Sequence, residues 1–139
     1  MALSRGYKLC KLTAMKRTFK FRVWEKAFKK MHEKVNLYSL NKTGIIDHVQ
    51  VSDKQAMLSI GLHVELMEFT GREDVEGKEI FEGDIIKHGE SIRFIEKRGS
   101  NFSATRMAKT ETILLSFCES PKVIGNIYEN NEFLQDVDA

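Results

Sequence analysis

The chain has few of the residues that break or cross-link protein structure. Among its 139 residues are one proline, Pro121, and nine glycines, which argues against a linker-rich or low-complexity protein. Its two cysteines, Cys10 and Cys118, are too few for a disulfide framework. Cys118 follows an apolar run, which predicts a small buried side chain. No apolar run exceeds three residues, whereas a membrane-spanning helix needs about 20.

The common motifs of catalysis and ligand binding are also missing. The four histidines, His32, His48, His63 and His88, never lie within four residues of one another, so a zinc site would have to draw ligands from distant segments. The sequence contains no phosphate-binding glycine loop and no Gly-x-Ser-x-Gly nucleophile motif. We therefore predict that the protein is not an enzyme, with no catalytic residues, no metal, no cofactor and no small-molecule ligand.

Acidic residues crowd one segment of the chain. They are Glu65, Glu68, Glu73, Asp74, Glu76, Glu79, Glu82 and Asp84. Paired carboxylates can hold Mg²⁺ or act as acid and base, but Asp and Glu also populate turns and solvated strand faces. The spacing lacks the Asp-x-Asp-x-Asp-Gly order of a calcium loop, so we favour the structural interpretation.

Charge is distributed unevenly along the chain. Residues 1–34 contain 11 Lys and Arg against two Glu, a net charge of +9, and residues 35–139 contain 11 against 18, a net charge of −7. A basic segment on an acidic body favours contact with nucleic acid, or docking of one copy's basic end on another copy's acidic face. A solvated basic N-terminus accounts for the same pattern.

The first patterned segment alternates strictly between apolar and polar residues. Over residues 18–24, Phe19, Phe21 and Val23 fall on one face, which predicts a half-buried strand with these three side chains kept dry. Residues 25–31 predict a turn into a second strand, and the alternative is a short basic helix.

The opposite face of this strand and the turn after it supply the candidate binding residues. They are Lys20, Arg22, Trp24, Lys26, Lys29 and Lys30. Cations can pair with phosphates while an aromatic ring stacks on a base, which is how barrel-type proteins bind single strands. Against this interpretation, a tryptophan such as Trp24 more often caps a core or a subunit interface.

The rest of the chain predicts many short strands separated by glycine turns. We expect strands at residues 45–51, 64–69, 80–81, 84–88, 91–97, 101–106, 111–118 and 122–128, and leave residues 54–60 undecided between helix and strand. Residues 130–134 predict a short terminal helix with an Asn cap. The pattern indicates one mainly β domain at residues 15–139, containing a small barrel, preceded by an extra or disordered segment at residues 1–14.

Three blocks of sequence, at residues 21–31, 66–86 and 123–130, together resemble the YopX-like family of phage and prophage proteins. Residues 21–26 with Lys30-Met31 are similar to the family's opening F-R-A-W-D-K … K-M. Residues 66–86 are similar to its L-M-Q-Y-T-G-L-K-D-x-N-G-K-E-I-Y-E-G-D-I-V, although Glu76 stands where the family turn often has Asn. Residues 123–130 match V-I-G-N-I-Y-E-N.

The resemblance implies a phage-derived origin and a barrel-containing fold, but no established molecular activity and no catalytic residues. The turn at Gly83-Asp84 before an apolar strand resembles the way SH3-like barrels enter a central strand. We expect a cytoplasmic accessory protein in a bacterial host that works through protein–protein contacts and self-associates. The alternative is a nucleic-acid-binding protein that uses the basic strand face. We expect no membrane partner.

Overall fold

A computed structural model describes residues 19–52, 54–106, 112–130 and 132–133. The extra segment predicted at residues 1–14 lies outside these ranges. Within them the chain is mainly β, as predicted, with twelve strands and one turn of 3-10 helix at Leu115–Phe117. The strands are β1 (Phe21–Glu25), β2 (Lys30–His32), β3 (Val35–Tyr38), β4 (His48–Val51), β5 (Leu58–Ser59), β6 (Val64–Glu73), β7 (Glu79–Phe81), β8 (Asp84–His88), β9 (Ser91–Arg98), β10 (Asn101–Thr105), β11 (Thr112–Leu114) and β12 (Lys122–Asn126).

The strands form three sheets whose neighbouring strands run antiparallel. Their orders are β2-β1-β6-β7, β11-β10-β9-β8-β12 and β3-β4-β5. Curling of the β structure produces a half-barrel. No helix in the described ranges is long and apolar enough to cross a membrane. The terminal helix predicted from Asn130 is not confirmed: Phe133 N–H donates to Asn130 O at 3.1 Å, but residues 131 and 134 lie outside the description.

Two apolar clusters hold the sheets together. The first lies mainly on the five-stranded sheet and consists of Ile80, Ile86, Ile95, Ala104, Leu115, Cys118 and Val123. Cys118 is 1% exposed, which confirms the prediction that it is a small buried side chain. The second cluster joins the four-stranded and three-stranded sheets through four buried valines, Val23, Val49, Val51 and Val64. Valine suits the facing surfaces of both sheets because its branched side chain packs well on a pleated surface.

The prediction for the first strand is only partly right. Val23 is fully buried and Phe21 is half-buried, but Phe19 precedes β1 and is 67% exposed. The opposite face, predicted to be solvated, is also buried at Arg22 and Trp24. The reason is topological: β1 is an interior strand between β2 and β6, and residues near β8 and β12 cover its second face. Alternation alone does not show that both faces of a strand are covered.

Turns that were predicted from glycines lie where expected, whereas strand starts that were predicted from apolar residues are less accurate. Residues 26–29 form the predicted turn between β1 and β2, and Gly77 supplies the expected positive φ of 84°. The strand expected from residue 45 begins only at His48, and Ile45 is 69% exposed. The undecided segment 54–60 contains only the two-residue strand β5.

Candidate functional site

Two of the six predicted binding residues are exposed lysines already engaged by acids. Lys20 forms an ion pair with Glu79 from β7, and its ammonium lies 5.4 Å from the centre of the Phe69 ring. Lys26 pairs with Glu65 at 3.1 Å and donates a hydrogen bond to the carbonyl of Gly61 at 2.6 Å. Both side chains therefore secure β1 and its turn to neighbouring elements, with part of their charge neutralised.

Arg22 forms a buried ion pair with Asp84. Its guanidinium donates to Asp84 Oδ1 at 2.6 Å and lies 4.7 Å from the centre of the Phe81 ring. Only 8% of Arg22 and 2% of Asp84 are exposed. Burial raises the pKa of Asp84, and the charge of Arg22 together with the Phe81 N–H opposes this rise. Arg22 therefore presents little of its guanidinium to a phosphate group in solvent.

Trp24 is also unavailable as a surface for stacking a base. It is 9% exposed, and its ring stacks on that of Tyr128 with centres 5.5 Å apart and planes 15° from parallel. Burial raises the pKa of the Tyr128 hydroxyl. The stack joins β1 to the residues just after β12. Trp24 therefore holds an early and a late part of the chain together.

The remaining two predicted residues, Lys29 and Lys30, are exposed at the hairpin between β1 and β2. Lys29 adopts a left-handed conformation with φ of 52°, which costs roughly 1 kcal/mol for a residue other than glycine. This turn carries Phe28, which is 68% exposed. The structure thus leaves solvent-facing cations beside a solvent-facing aromatic ring.

An apolar groove lies beside this hairpin turn. Its volume is about 480 Å³, and its apolar walls are Ala27, Phe28, Leu58 and Leu62. Leu62 is 72% exposed, and the Lys54 ammonium lies 3.9 Å from the centre of the Phe28 ring. We call these four residues the hairpin groove. Sequence reasoning missed the groove because its two segments, residues 27–28 and 58–62, lie 30 or more residues apart in the chain.

A polar cluster adjoins the groove, and two of its members, Glu25 and Lys54, line it. His32 Nε2 lies 3.0 Å from Glu25 Oε1, and the Lys54 ammonium binds the other oxygen of Glu25. Burial opposes the charge of Glu25, but hydrogen bonds from Lys54 and His32 outweigh it, so the pKa of Glu25 lies below its ordinary value. Because these groups satisfy one another, they anchor the hairpin to the loop that carries Lys54.

The acidic segment contains a carboxylate that acts as a backbone anchor. Asp74 Oδ1 accepts the N–H groups of Glu76 at 2.8 Å and Lys78 at 2.9 Å, and Oδ2 accepts the N–H of Val123 at 2.9 Å. Burial opposes its charge, but these three backbone donors lower the pKa of Asp74. No group of three or more His, Cys, Asp or Glu suited to a metal occurs among the described residues.

Residues from three distant parts of the chain meet through the contacts of Arg22 with Asp84, Trp24 with Tyr128, and Gly83 with Ile127. Gly83 has φ of 83°, and its carbonyl accepts the N–H of Ile127 at 2.8 Å. A Cβ on Gly125 would lie 2.5 Å from Asn130 Oδ1, which itself accepts the Asn126 N–H at 3.1 Å. Glycine is required at position 125 because Asn130 occupies the space of a side chain. We call this region the three-block junction.

The comparison with protein families decides the affiliation. The model of the YopX protein family matches residues 20–135. The chain belongs to the YopX family. Among solved structures, protein EF1440 from Enterococcus faecalis is similar to it, with 25% sequence identity and a TM-score of 0.60 over 86% of this chain and 99% of that one. Among curated proteins, no sequence matches this chain.

The family affiliation gives the three-block junction a structural meaning. The stretches that resemble the YopX family contribute Arg22 and Trp24, then Gly83 and Asp84, then the turn after β12. Arg22, Trp24 and Asp84 are buried in contacts between these stretches. Arg22, Phe81 and Asn126, one residue from each stretch, also line a cavity of about 260 Å³. The three stretches therefore pack against one another in the folded chain. The hairpin groove is the more accessible candidate for binding.

Proposed function

We propose that this YopX-family chain is a phage-derived accessory protein of the bacterial cytoplasm that acts through protein–protein contacts and self-associates. The observation that carries the proposal is the pair of exposed apolar side chains at the hairpin groove, Phe28 at 68% and Leu62 at 72%. Fully burying one such side chain contributes about 1.5–3 kcal/mol. A partner that covers both side chains gains about 3–6 kcal/mol, which offsets part of the cost of association.

The sheets offer further sites of association. β3 and β5 are edge strands of the three-stranded sheet, and β5 contributes Leu58 to the hairpin groove. Edge strands present unpaired backbone groups that favour contact with another chain. The apolar groove and an edge strand therefore occupy the same side of the molecule.

We also propose that the protein performs no catalysis. The buried ionisable groups support this because they engage one another: Arg22 binds Asp84, and Glu25 binds both His32 and Lys54. Both carboxylate oxygens of Asp74 accept hydrogen bonds from backbone N–H groups. Groups fixed in this way stabilise the fold and are poorly placed to transfer protons to a substrate.

Light scattering coupled to size-exclusion chromatography tests self-association. The wild-type chain should form an oligomer whose mass rises with concentration, and the double variant Phe28→Ser, Leu62→Ser should shift to a monomer. Phe117→Ser is the matched control, because Phe117 is also 68% exposed but lies on the 3-10 turn, away from the groove. A wild-type chain that stays monomeric at its highest soluble concentration would refute self-association.

Nucleic-acid binding through the basic face stays a prediction. The exposed Lys29 and Lys30 support it, whereas Arg22 and Trp24 are buried in other contacts. Binding by lysines alone should weaken steeply with salt and leave the fluorescence of Trp24 unchanged. Titration of the protein with single- and double-stranded oligonucleotides at low salt measures both properties. Absence of binding under those conditions would remove this alternative.

A further inference from the structure

We propose that the hairpin groove binds residues 134–139, the acidic and apolar C-terminal segment, of a second copy of the chain. This inference rests on the proposed function and specifies which surfaces meet. It assigns a binding site to the groove and identifies its ligand as a short acidic peptide with aliphatic side chains.

The groove combines apolar walls with a cationic rim. Phe28 and Leu62 form exposed walls, and the ammonium groups of Lys26 and Lys54 lie beside them. Among the described residues, Lys26 pairs with Glu65 and Lys54 with Glu25. The lining of the groove contains two lysines, Lys26 and Lys54, against one carboxylate, Glu25, and the exposed Lys29 lies on the same turn.

Residues 134–139 have the complementary composition. Their sequence, Leu-Gln-Asp-Val-Asp-Ala, contains two aliphatic side chains, Leu134 and Val137, and two carboxylates, Asp136 and Asp138. No Lys or Arg occurs after Lys122, so the whole C-terminal stretch is acidic. Leucine and valine can cover the groove walls while the aspartates meet the lysines at the rim, where charge complementarity sets the orientation of the segment.

The assembly that results is head-to-tail. The groove and the C-terminal segment are different parts of the chain, so each copy can offer one groove and one segment at the same time. Such heterologous contacts produce rings when the rotation between copies closes and open chains when it does not. The opposed charges of the N-terminal and C-terminal parts of the sequence then act between neighbouring copies.

A mixing experiment with two defective full-length variants tests this arrangement. The groove variant is Leu62→Ser, and the segment variant is Leu134→Ser, Val137→Ser. Each should lose self-association by about tenfold or more, the factor that corresponds to about 1.4 kcal/mol. Mixed together they should form a dimer and nothing larger, because the segment of the groove variant can occupy the intact groove of the segment variant. Circular dichroism and thermal unfolding of each variant confirm that it is folded.

A peptide measurement identifies the ligand independently. A fluorescently labelled peptide of residues 134–139 should bind the segment variant, its anisotropy should fall as salt is added, and binding should be lost when Leu62→Ser is introduced into the same chain. A control peptide with Asp136→Lys and Asp138→Lys should bind at least about tenfold more weakly.

The outcomes separate the inference from the proposed function. If the groove variant loses self-association and the segment variant keeps it, the groove binds another surface, so the inference fails while the proposed function survives. If the wild-type chain never self-associates, both fail. If the peptide binds the segment variant while the wild-type chain is monomeric, the segment occupies the groove of its own chain, which also overturns binding by a second copy.

Discussion

Replacing Asp74 with Asn should destabilise the protein through a single misplaced amide. The Asn oxygen can still accept the two N–H groups of Glu76 and Lys78. The amide NH₂ then faces the N–H of Val123, 2.9 Å from the present oxygen, and two donors oppose each other. Asp74 is 7% exposed, so water cannot fully replace the lost acceptor.

The expected loss is on the order of 2–3 kcal/mol in the free energy of unfolding. A hydrogen bond to a charged group contributes about 1.5–3 kcal/mol, and a buried donor left unsatisfied costs about 1–3 kcal/mol, two overlapping descriptions of one lost contact. Equilibrium unfolding in urea, followed by the fluorescence of Trp24, measures the difference. The matched control is Glu73→Gln, an exposed carboxylate next to Asp74, which should change stability by less than about 0.5 kcal/mol.

The pH dependence of this loss gives a second, independent measure. The pKa of Asp74 is lowered by folding, so its ionised form stabilises the native state above the pKa of an unfolded Asp, about 3.9. That stabilisation disappears as the pH falls through the folded pKa. The gap between wild type and Asp74→Asn should therefore be full at pH 7 and narrow below about pH 4. A gap at pH 7 no larger than that of Glu73→Gln, or one that does not narrow in acid, would refute the anchor role.

Other substitutions test the buried contacts. Arg22→Met leaves the Asp84 carboxylate buried without its partner and should lower the free energy of unfolding by about 3–5 kcal/mol, measured by urea unfolding. The loss should be smaller in acid, where Asp84 takes up a proton. An unchanged urea midpoint would contradict the ion pair. Gly125→Ala should cost about 1–3 kcal/mol by thermal unfolding, since its Cβ would meet Asn130 at 2.5 Å, and wild-type stability would disprove that close approach. In a Cys10→Ser variant, a thiol reagent should modify Cys118 only as fast as the protein unfolds, because burial covers this thiol and raises its pKa. Rapid modification of the folded protein would show that the sulfur is accessible.

Strands flanked by glycine turns could be predicted well from the sequence. The strand expected at residues 84–88 has the same bounds as β8, and the one expected at 91–97 is one residue shorter than β9. Each is bounded by a glycine with positive φ, at Gly83, Gly89 or Gly99. Because few other residues adopt this conformation without strain, the glycines mark where a strand must end.

The candidate binding face could not be predicted correctly, because burial on the second face of a strand depends on distant residues. Local alternation places Arg22 and Trp24 together, but only the position of Asp84 and Tyr128 in space shows that both are covered. A basic residue in a strand is usually solvated, and a buried partner 62 residues away leaves no local signal. The proposed SH3-like character of the barrel stays a prediction.

The pairing of Glu25 with His32 had a signal in the sequence that could have been used. Once residues 26–29 are taken as a turn, the hairpin register pairs Val23 with His32, and Glu25 lies two residues from Val23 on the same face. The carboxylate and the imidazole are therefore diagonal neighbours, within reach of each other. The contribution of Lys54 could not be foreseen, because its segment showed no clear periodicity.

The stack of Trp24 on Tyr128 has a consequence for how the protein is made. The two rings are separated by 104 positions, the difference between residues 128 and 24, so the first strand is completed by almost the last part of the domain to leave the ribosome. Contacts between such distant residues slow folding, because the chain loses the entropy of closing a long loop before these contacts can stabilise it. A nascent chain interrupted before residue 128 would lack the ring that stacks on its only tryptophan, which leaves that apolar surface open to aggregation.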